Sequence, residues 1–170
     1  LRNKFSNLDV VFHTAAYPRI WGRKADFYGI NVDGTRNVIK ACLLAGVQKL
    51  IFTSSPSVIY GNSSLEGVDE TIPYPEEENY LCDYPRTKAI AERLVIEANG
   101  QDFATVSIRP HLIWGPGDPH LVPRLLAKAD KGKLVQVGQG ENKVDIIYID
   151  NAVHAHIKAC EVLGFGKPSA

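Results

Sequence analysis

Lys49-Leu50-Ile51-Phe52-Thr53-Ser54-Ser55-Pro56-Ser57 is an apolar, β-rich run that closes on small hydroxyl residues and a proline. A short apolar run bounded by turn signals reads as a buried strand, here 49–53. Upstream, Val10-Val11-Phe12-His13-Thr14 has the same character and is broken by Ala15-Ala16-Tyr17-Pro18. Between the two, Ile30, Val32, Val38, Ile39, Cys42 and Leu43 fall mostly at helical spacing, which predicts a helix over 26–44 with Gly46 just past its end. Downstream, 58–79 reads as a long acidic, Pro-containing loop. Ile90, Ala91, Leu94, Val95 and Ala98 then form a helical stripe over 83–99. Thr105-Val106-Ser107-Ile108 is a third strand, stopped by Arg109-Pro110. A short helix is expected over 123–131, strands over 134–137 and 145–149, and a last helix over 151–163 capped by Asp150. Strands alternating with helices imply parallel βαβ units and an α/β sheet. Ligands of such sheets sit beyond the carboxyl ends of the strands. That rule points to Thr14-Ala15-Ala16, Ser54-Ser55-Pro56 and Arg109-Pro110-His111.

The 170 residues, 45% hydrophobic and 22% charged, have the composition of an ordinary globular chain. Nineteen Lys+Arg balance nineteen Asp+Glu. Zero net charge argues against a nucleic-acid partner, which calls for a basic excess, and against a polybasic membrane-surface protein. No apolar run approaches the ~20 residues of a spanning helix. Cys42, Cys82 and Cys160 are odd in number and far apart, so a disulfide framework or zinc site is not expected and a reducing cytoplasm is. His154 and His156 are two apart on a predicted helix and cannot face one metal together, so no metal is expected. The chain starts at Leu1 without Met and ends on Gly164-Phe165-Gly166-Lys167-Pro168-Ser169-Ala170. Both ends read as cuts through a longer protein.

Tyr84-Pro85-Arg86-Thr87-Lys88 carries the chemistry. Tyr84 and Lys88 are four apart near a helix start and share one face. A phenol of pKa about 10 is a poor acid or base at neutral pH. A nearby ammonium and a helix N-terminus both favour phenolate. A phenol tuned that way could exchange a proton with an alcohol or carbonyl oxygen. A Tyr-x-x-x-Lys pair alone is common on solvated helices. Ser54-Ser55, just past a strand end, adds a hydroxyl that can reach the same oxygen.

The segments 9–16, 31–38, 52–61, 84–88 and 109–118, in this order and spacing, resemble the extended short-chain dehydrogenase/reductase family. Ser55-Pro56-Ser57-Val58-Ile59, Trp114-Gly115-Pro116-Gly117-Asp118-Pro119-His120 and the run 144–156 are similar to its 3β-hydroxysteroid dehydrogenase branch. That branch takes in dehydrogenases of sterol-4α-carboxylates and reductases of 2-alkyl-3-oxoalkanoates. The resemblance implies a partial Rossmann-type, doubly wound parallel sheet over 1–115. Residues 116–170 would then start a small substrate-binding lobe, followed by a returning strand and helix. It implies NAD or NADP as cofactor and a secondary alcohol/ketone interconversion on a bulky apolar substrate, either a sterol or a β-hydroxy or β-oxo acid. Tyr84 becomes the proton donor and acceptor, Lys88 its tuner and the holder of the nicotinamide ribose, and Ser55 the catalytic serine with Ser54 as fallback. His13, Ala15, Ala16, Asn31, Thr53, Ser54, Pro110, His111, Leu112 and Ile113 would line the cofactor. Pro56, Trp114, His120 and Arg124 are substrate candidates, Arg124 because its planar fork suits a carboxylate. The family also allows a homodimer through the helices 26–44 and 83–99.

The family's Gly-x-x-Gly-x-x-Gly, which presents backbone N–H groups to the pyrophosphate, does not occur in this chain. The expectation is that the strands carrying it precede Leu1, and that the 170 residues alone bind a dinucleotide weakly. Two other readings stay open. One is a nucleotide-sugar epimerase or dehydratase, though Ser55-Pro56 disfavours a dehydratase. The other is a non-catalytic nucleotide-binding module, disfavoured by the presence of both Tyr84 and Lys88.

Overall fold

The computed structural model describes residues 2–61, 64–119 and 121–165. It divides into two compact units, residues 1–109 with 156–170, and residues 110–155. The junction between the two units falls at 109/110. The reason is strand pairing, since the segment after Arg109 forms a strand that pairs within the second unit.

The first unit holds a parallel sheet of three strands in the order β1 (Val10–His13), β2 (Lys49–Thr53), β3 (Ala104–Ile108). Its first helix is the short α1 (Arg2–Phe5). Between β1 and β2 run α2 (Lys24–Phe27), a π-helical stretch Tyr28–Asp33 and α3 (Gly34–Ala45) in unbroken succession. Between β2 and β3 runs α4 (Asp83–Glu97). Leu50, Ile51 and Phe52 of the central strand are almost fully buried, as a strand covered on both faces must be. Successive side chains of a strand point to opposite faces, and β2 obeys this. Leu50 and Phe52 join Cys42 of α3 and Ala91 and Val95 of α4 in one core, with Val47 and Phe103. On the other face, Lys49 Nζ donates to the Cys160 carbonyl at 2.8 Å and Thr53 Oγ1 bonds His156 Nε2 at 2.7 Å. The sheet is therefore doubly wound, as the sequence predicts.

Local chemistry sets the element ends. Gly46 caps α3 with φ +72°, a left-handed conformation glycine adopts without penalty. Pro85 sits in the first turn of α4, where its missing N–H is no loss. Asp83 in the same turn suits the helix dipole and pairs with Arg86 at 2.8 Å.

The second unit pairs β4 (Leu112–Trp114) with β5 (Ile146–Tyr148) in parallel. It also contains α5 (Leu121–Asp130) and the beginning of α6 (Ile149–Val162), whose residues from His156 onward belong to the first unit. Two expectations fail here. Leu134–Val137 is not a strand; its side chains are exposed, so no pairing surface holds it extended. Asp150 is the second residue of α6 rather than its cap.

Candidate active site

The carboxyl ends of the strands carry the predicted chemistry, and β2 gathers most of it. Ser55 follows β2 by two residues and caps a short 3-10 turn, Pro56–Ile59. Its Oγ accepts from the Ser57 N–H at 3.3 Å and bonds Ser57 Oγ at 2.8 Å. The same Ser55 side chain lies near enough to the Tyr84 hydroxyl to act on its acidity. One turn along α4, Lys88 is 2% exposed and donates from Nζ to the Thr53 carbonyl at 2.7 Å. Its ammonium also lies over the Phe52 ring, 4.0 Å from the centroid. Tyr84, Lys88 and Ser55 thus converge on the tip of one strand.

Their electrostatics differ from expectation. Burial pushes the Tyr84 phenol above its ordinary value, and the Ser55 hydroxyl opposes the rise. Burial pushes Lys88 down to about 7, against the attraction of Glu92. Lys88 is not among the groups that lower Tyr84 in this structure. Two causes are visible: the phenol is desolvated, and the ammonium is engaged by the Thr53 carbonyl.

His13 and Asn31 are braces. His13 is buried, and its Nε2 meets Thr35 Oγ1 at 2.9 Å. Thr35 spends its own proton on the Asn31 carbonyl at 2.7 Å, so the imidazole Nε2 is the donor in its bond to Thr35. Burial, and then the Lys88 charge, lower His13 to about 4. Asn31 accepts from the Tyr17 N–H at 2.7 Å and donates to Thr87 Oγ1 at 3.0 Å. It therefore ties the loop after β1 to α4. It lies in the π-helical stretch, a distortion common at functional sites. Thr35 and Thr87 were not legible as site supports, because each acts across more than one element.

The remaining predicted residues are placed as follows. Ala15 is exposed and Ala16 half-buried beyond β1. Ser54 is buried, and its Oγ has no hydrogen-bond partner among the described residues. Thr53 turns its hydroxyl to His156 and offers the site only its carbonyl. Pro56 begins the turn after Ser55. Pro110, His111, Leu112, Ile113, Trp114 and Arg124 belong to the second unit. There His111 approaches Asp145 at 3.9 Å, Trp114 meets Tyr148 edge-on at 5.1 Å, and Arg124 is exposed on α5. His120 lies outside the described residues. Among the described residues there is no group of three or more His, Cys, Asp or Glu able to hold a metal ion. Nor is any helix among them long and apolar enough to cross a membrane.

Known proteins resemble this chain in sequence and fold. Residues 1–169 match the profile of the 3-beta hydroxysteroid dehydrogenase/isomerase family. A 2-alkyl-3-oxoalkanoate reductase of Stenotrophomonas maltophilia is 46% identical over 167 residues, covering 97% of this chain and 50% of that protein. The decarboxylating sterol-4-alpha-carboxylate 3-dehydrogenase of Mus musculus is 44% identical over 159 residues, covering 92% of this chain and 43% of that protein. Among solved structures, MoeE5 in complex with UDP-glucose and NAD superposes with a TM-score of 0.80 at 27% identity, over 99% of this chain and 57% of that one. The chain spans about half the length of the curated relatives it matches. With the Tyr84–Ser55 contact, the neighbouring Lys88 and a profile match along nearly its whole length, the chain belongs to the 3-beta hydroxysteroid dehydrogenase/isomerase family.

Proposed function

We propose that this chain supplies the proton-transfer site of an NAD(P)-dependent oxidoreductase, interconverting a secondary alcohol and a ketone on a bulky apolar substrate. The substrate class is a 3β-hydroxysteroid or sterol, or a 2-alkyl-3-oxo acid. The observation that carries this reading is the convergence of Tyr84, Ser55 and Lys88 at the carboxyl end of β2, with Lys88 one helical turn from Tyr84 on α4 and fixed on the Thr53 carbonyl at 2.7 Å.

In the direction of ketone reduction, Tyr84 gives its proton to the oxygen that becomes the alcohol, and Ser55 holds that oxygen by a second hydrogen bond. Burial keeps the phenol protonated and so suits it to act as the acid. In the reverse direction Tyr84 takes the alcohol proton, and the Ser55 hydroxyl stabilises the phenolate. Ser57 and the Thr53 carbonyl hold Ser55 and Lys88 in register.

The nicotinamide cofactor supplies hydride to the substrate carbon or accepts it from that carbon. The residues fit its nicotinamide end. Lys88 offers a buried cation, Ser54 a buried hydroxyl with no partner among the described residues, and Ala15 and Ala16 a small-residue wall. Lys88, Tyr84 and Ser54 would hold it, with His13 and Asn31 bracing them.

Two further parts of the reading have support of their own. Leu43 and Leu44 of α3 are more than half exposed, which favours a homodimer through that helix. Cys42, Cys82 and Cys160 are free thiols, which favours a reducing, cytoplasmic setting.

The test is Tyr84→Phe in the complete protein. Turnover should fall by about 10²-fold or more while circular dichroism and thermal unfolding stay unchanged; undiminished turnover removes Tyr84 from the reaction. Oxidation of NADH with a 2-alkyl-3-oxo acid, against a 3-ketosteroid, then separates the two substrate classes.

A further inference from the structure

Glu92 lies one helical turn beyond Lys88 and two beyond Tyr84 on α4, and no side-chain surface of it is exposed. A buried carboxylate is costly unless every lone pair is used. Here the partners come from two other elements. Arg109, the residue after β3, donates from Nη2 at 2.6 Å and from Nε at 3.1 Å. Tyr74, on the loop before α4, donates its hydroxyl at 2.5 Å. Arg93 stacks over the Tyr74 ring at 4.5 Å and holds that donor in turn. The carboxylate is thus pinned from both sides, and its charge is felt by Lys88.

Lys88 needs such a counter-charge. The Thr53 carbonyl and the Phe52 ring face it from β2, and His13, neutral, acts on it from β1. None of these is an anion. Burial works to strip the proton from Lys88; the Thr53 carbonyl accepts from its ammonium, and the charge of Glu92 opposes the loss from behind. A buried ion pair is weak support for a fold in itself, since apolar replacements are often as stable. Its place one turn behind the ammonium gives it a different use.

We propose that Glu92, locked by Arg109 and Tyr74, is a positioning residue of the proton-transfer site, keeping Lys88 an ammonium fixed on the Thr53 carbonyl beside Tyr84. The proposal rests on Tyr84 and Lys88 being the proton-transfer pair. The loop residue Tyr74 and the strand-end residue Arg109 then enter the chemistry through Glu92, although neither touches the reacting oxygen.

The experiment is a pH titration of the complete protein carrying 13C-labelled lysine, with the Lys88 Cε signal assigned by Lys88→Arg. In Glu92→Gln the Lys88 midpoint should fall by about one pH unit or more. In Glu92→Asp, which keeps the charge, it should stay within about half a unit of the unaltered protein. An unmoved midpoint in Glu92→Gln overturns the proposal. In turnover, the alkaline limb of the Glu92→Gln pH profile should move down with that midpoint, so that the loss deepens as pH rises; an equal loss at every pH reveals a merely structural residue and overturns it too. Should Glu92→Gln fail to fold, the carboxyl 13C signal of Glu92 in the unaltered protein takes its place. That signal must be a carboxylate's at neutral pH and must inflect at the Lys88 midpoint; a flat signal refutes the coupling. If Tyr84→Phe retains turnover, the oxidoreductase reading falls, while the lysine titration still reports on Glu92 by itself.

Discussion

His13 shows how the fold spends one residue on order rather than on chemistry. Its imidazole packs against the Phe52 ring and donates to Thr35, while burial and then the Lys88 charge hold it down at about 4. The unfolded chain binds a proton at His13 near 6.5, the folded chain only near 4. As pH falls through that window the unfolded state gains the proton first, so stability is complete above 6.5 and is lost progressively down to 4. The full loss is about 3.5 kcal/mol at most, at about 1.4 kcal/mol per unit. His13→Gln keeps a donor for Thr35 and removes the titration. Thermal unfolding from pH 7 to pH 4 should therefore fall less steeply in the variant, and parallel curves would exclude His13 as the cause. The sequence places His13 at a strand end, and it is the last residue of β1. Its partner was hidden, because Thr35 lies 22 residues away and meets it only after α3 packs on β1. Tyr84, Lys88 and Ser55 were legible for the opposite reason. Two of them are spaced by one helical turn, and the third follows directly on an apolar strand. The sign of the Tyr84 shift was not legible, since it depends on burial and on where the ammonium points.

At the level of elements, the readable ones are those whose apolar pattern is satisfied locally. The strands 10–13 and 49–53 and the helix 83–97 match their sequence signals within a residue or two, because each has a core-facing set and a turn signal at its end. The strand Leu112–Trp114 was missed because all three of its residues stay exposed and only its partner Ile146–Tyr148 defines it. The π-helical stretch Tyr28–Asp33 gives no periodic signal of its own; it is read as part of a longer helix, which it is. Gly46 provides a direct measure of how much a cap contributes. A Cβ built there meets nothing within 4 Å, so the cost of Gly46→Ala is backbone strain alone at φ +72°. That cost is about 1–2 kcal/mol. The urea midpoint should drop accordingly with an unchanged slope, and Gly46→Asn, better suited to the left-handed region, should lose less. Equal midpoints for all three residues would mean that α3 ends without help from its cap.

Across the whole molecule, the described site is one-sided with respect to a dinucleotide. Its cation and hydroxyls gather at the tip of β2, suited to the nicotinamide end. A pyrophosphate asks for something else, a glycine-rich turn that aims consecutive backbone N–H groups from a helix start. No two glycines of the 170 residues are three apart, and the pairs Gly115/Gly117 and Gly138/Gly140 lie in the second unit without opening a helix. The adenosine diphosphate half of the cofactor should therefore add almost nothing to binding by these residues alone. Calorimetric titration of the 170-residue chain with nicotinamide mononucleotide and with NAD tests this. Both should bind weakly, with dissociation constants near or above about 1 mM and within a few-fold of each other. An NAD affinity in the micromolar range, or about tenfold tighter than the mononucleotide, would place a phosphate site within these residues, on backbone that no glycine motif marks. Such a result would leave the proton-transfer site at β2 untouched, because Tyr84, Ser55 and Lys88 are held by protein contacts that involve no phosphate.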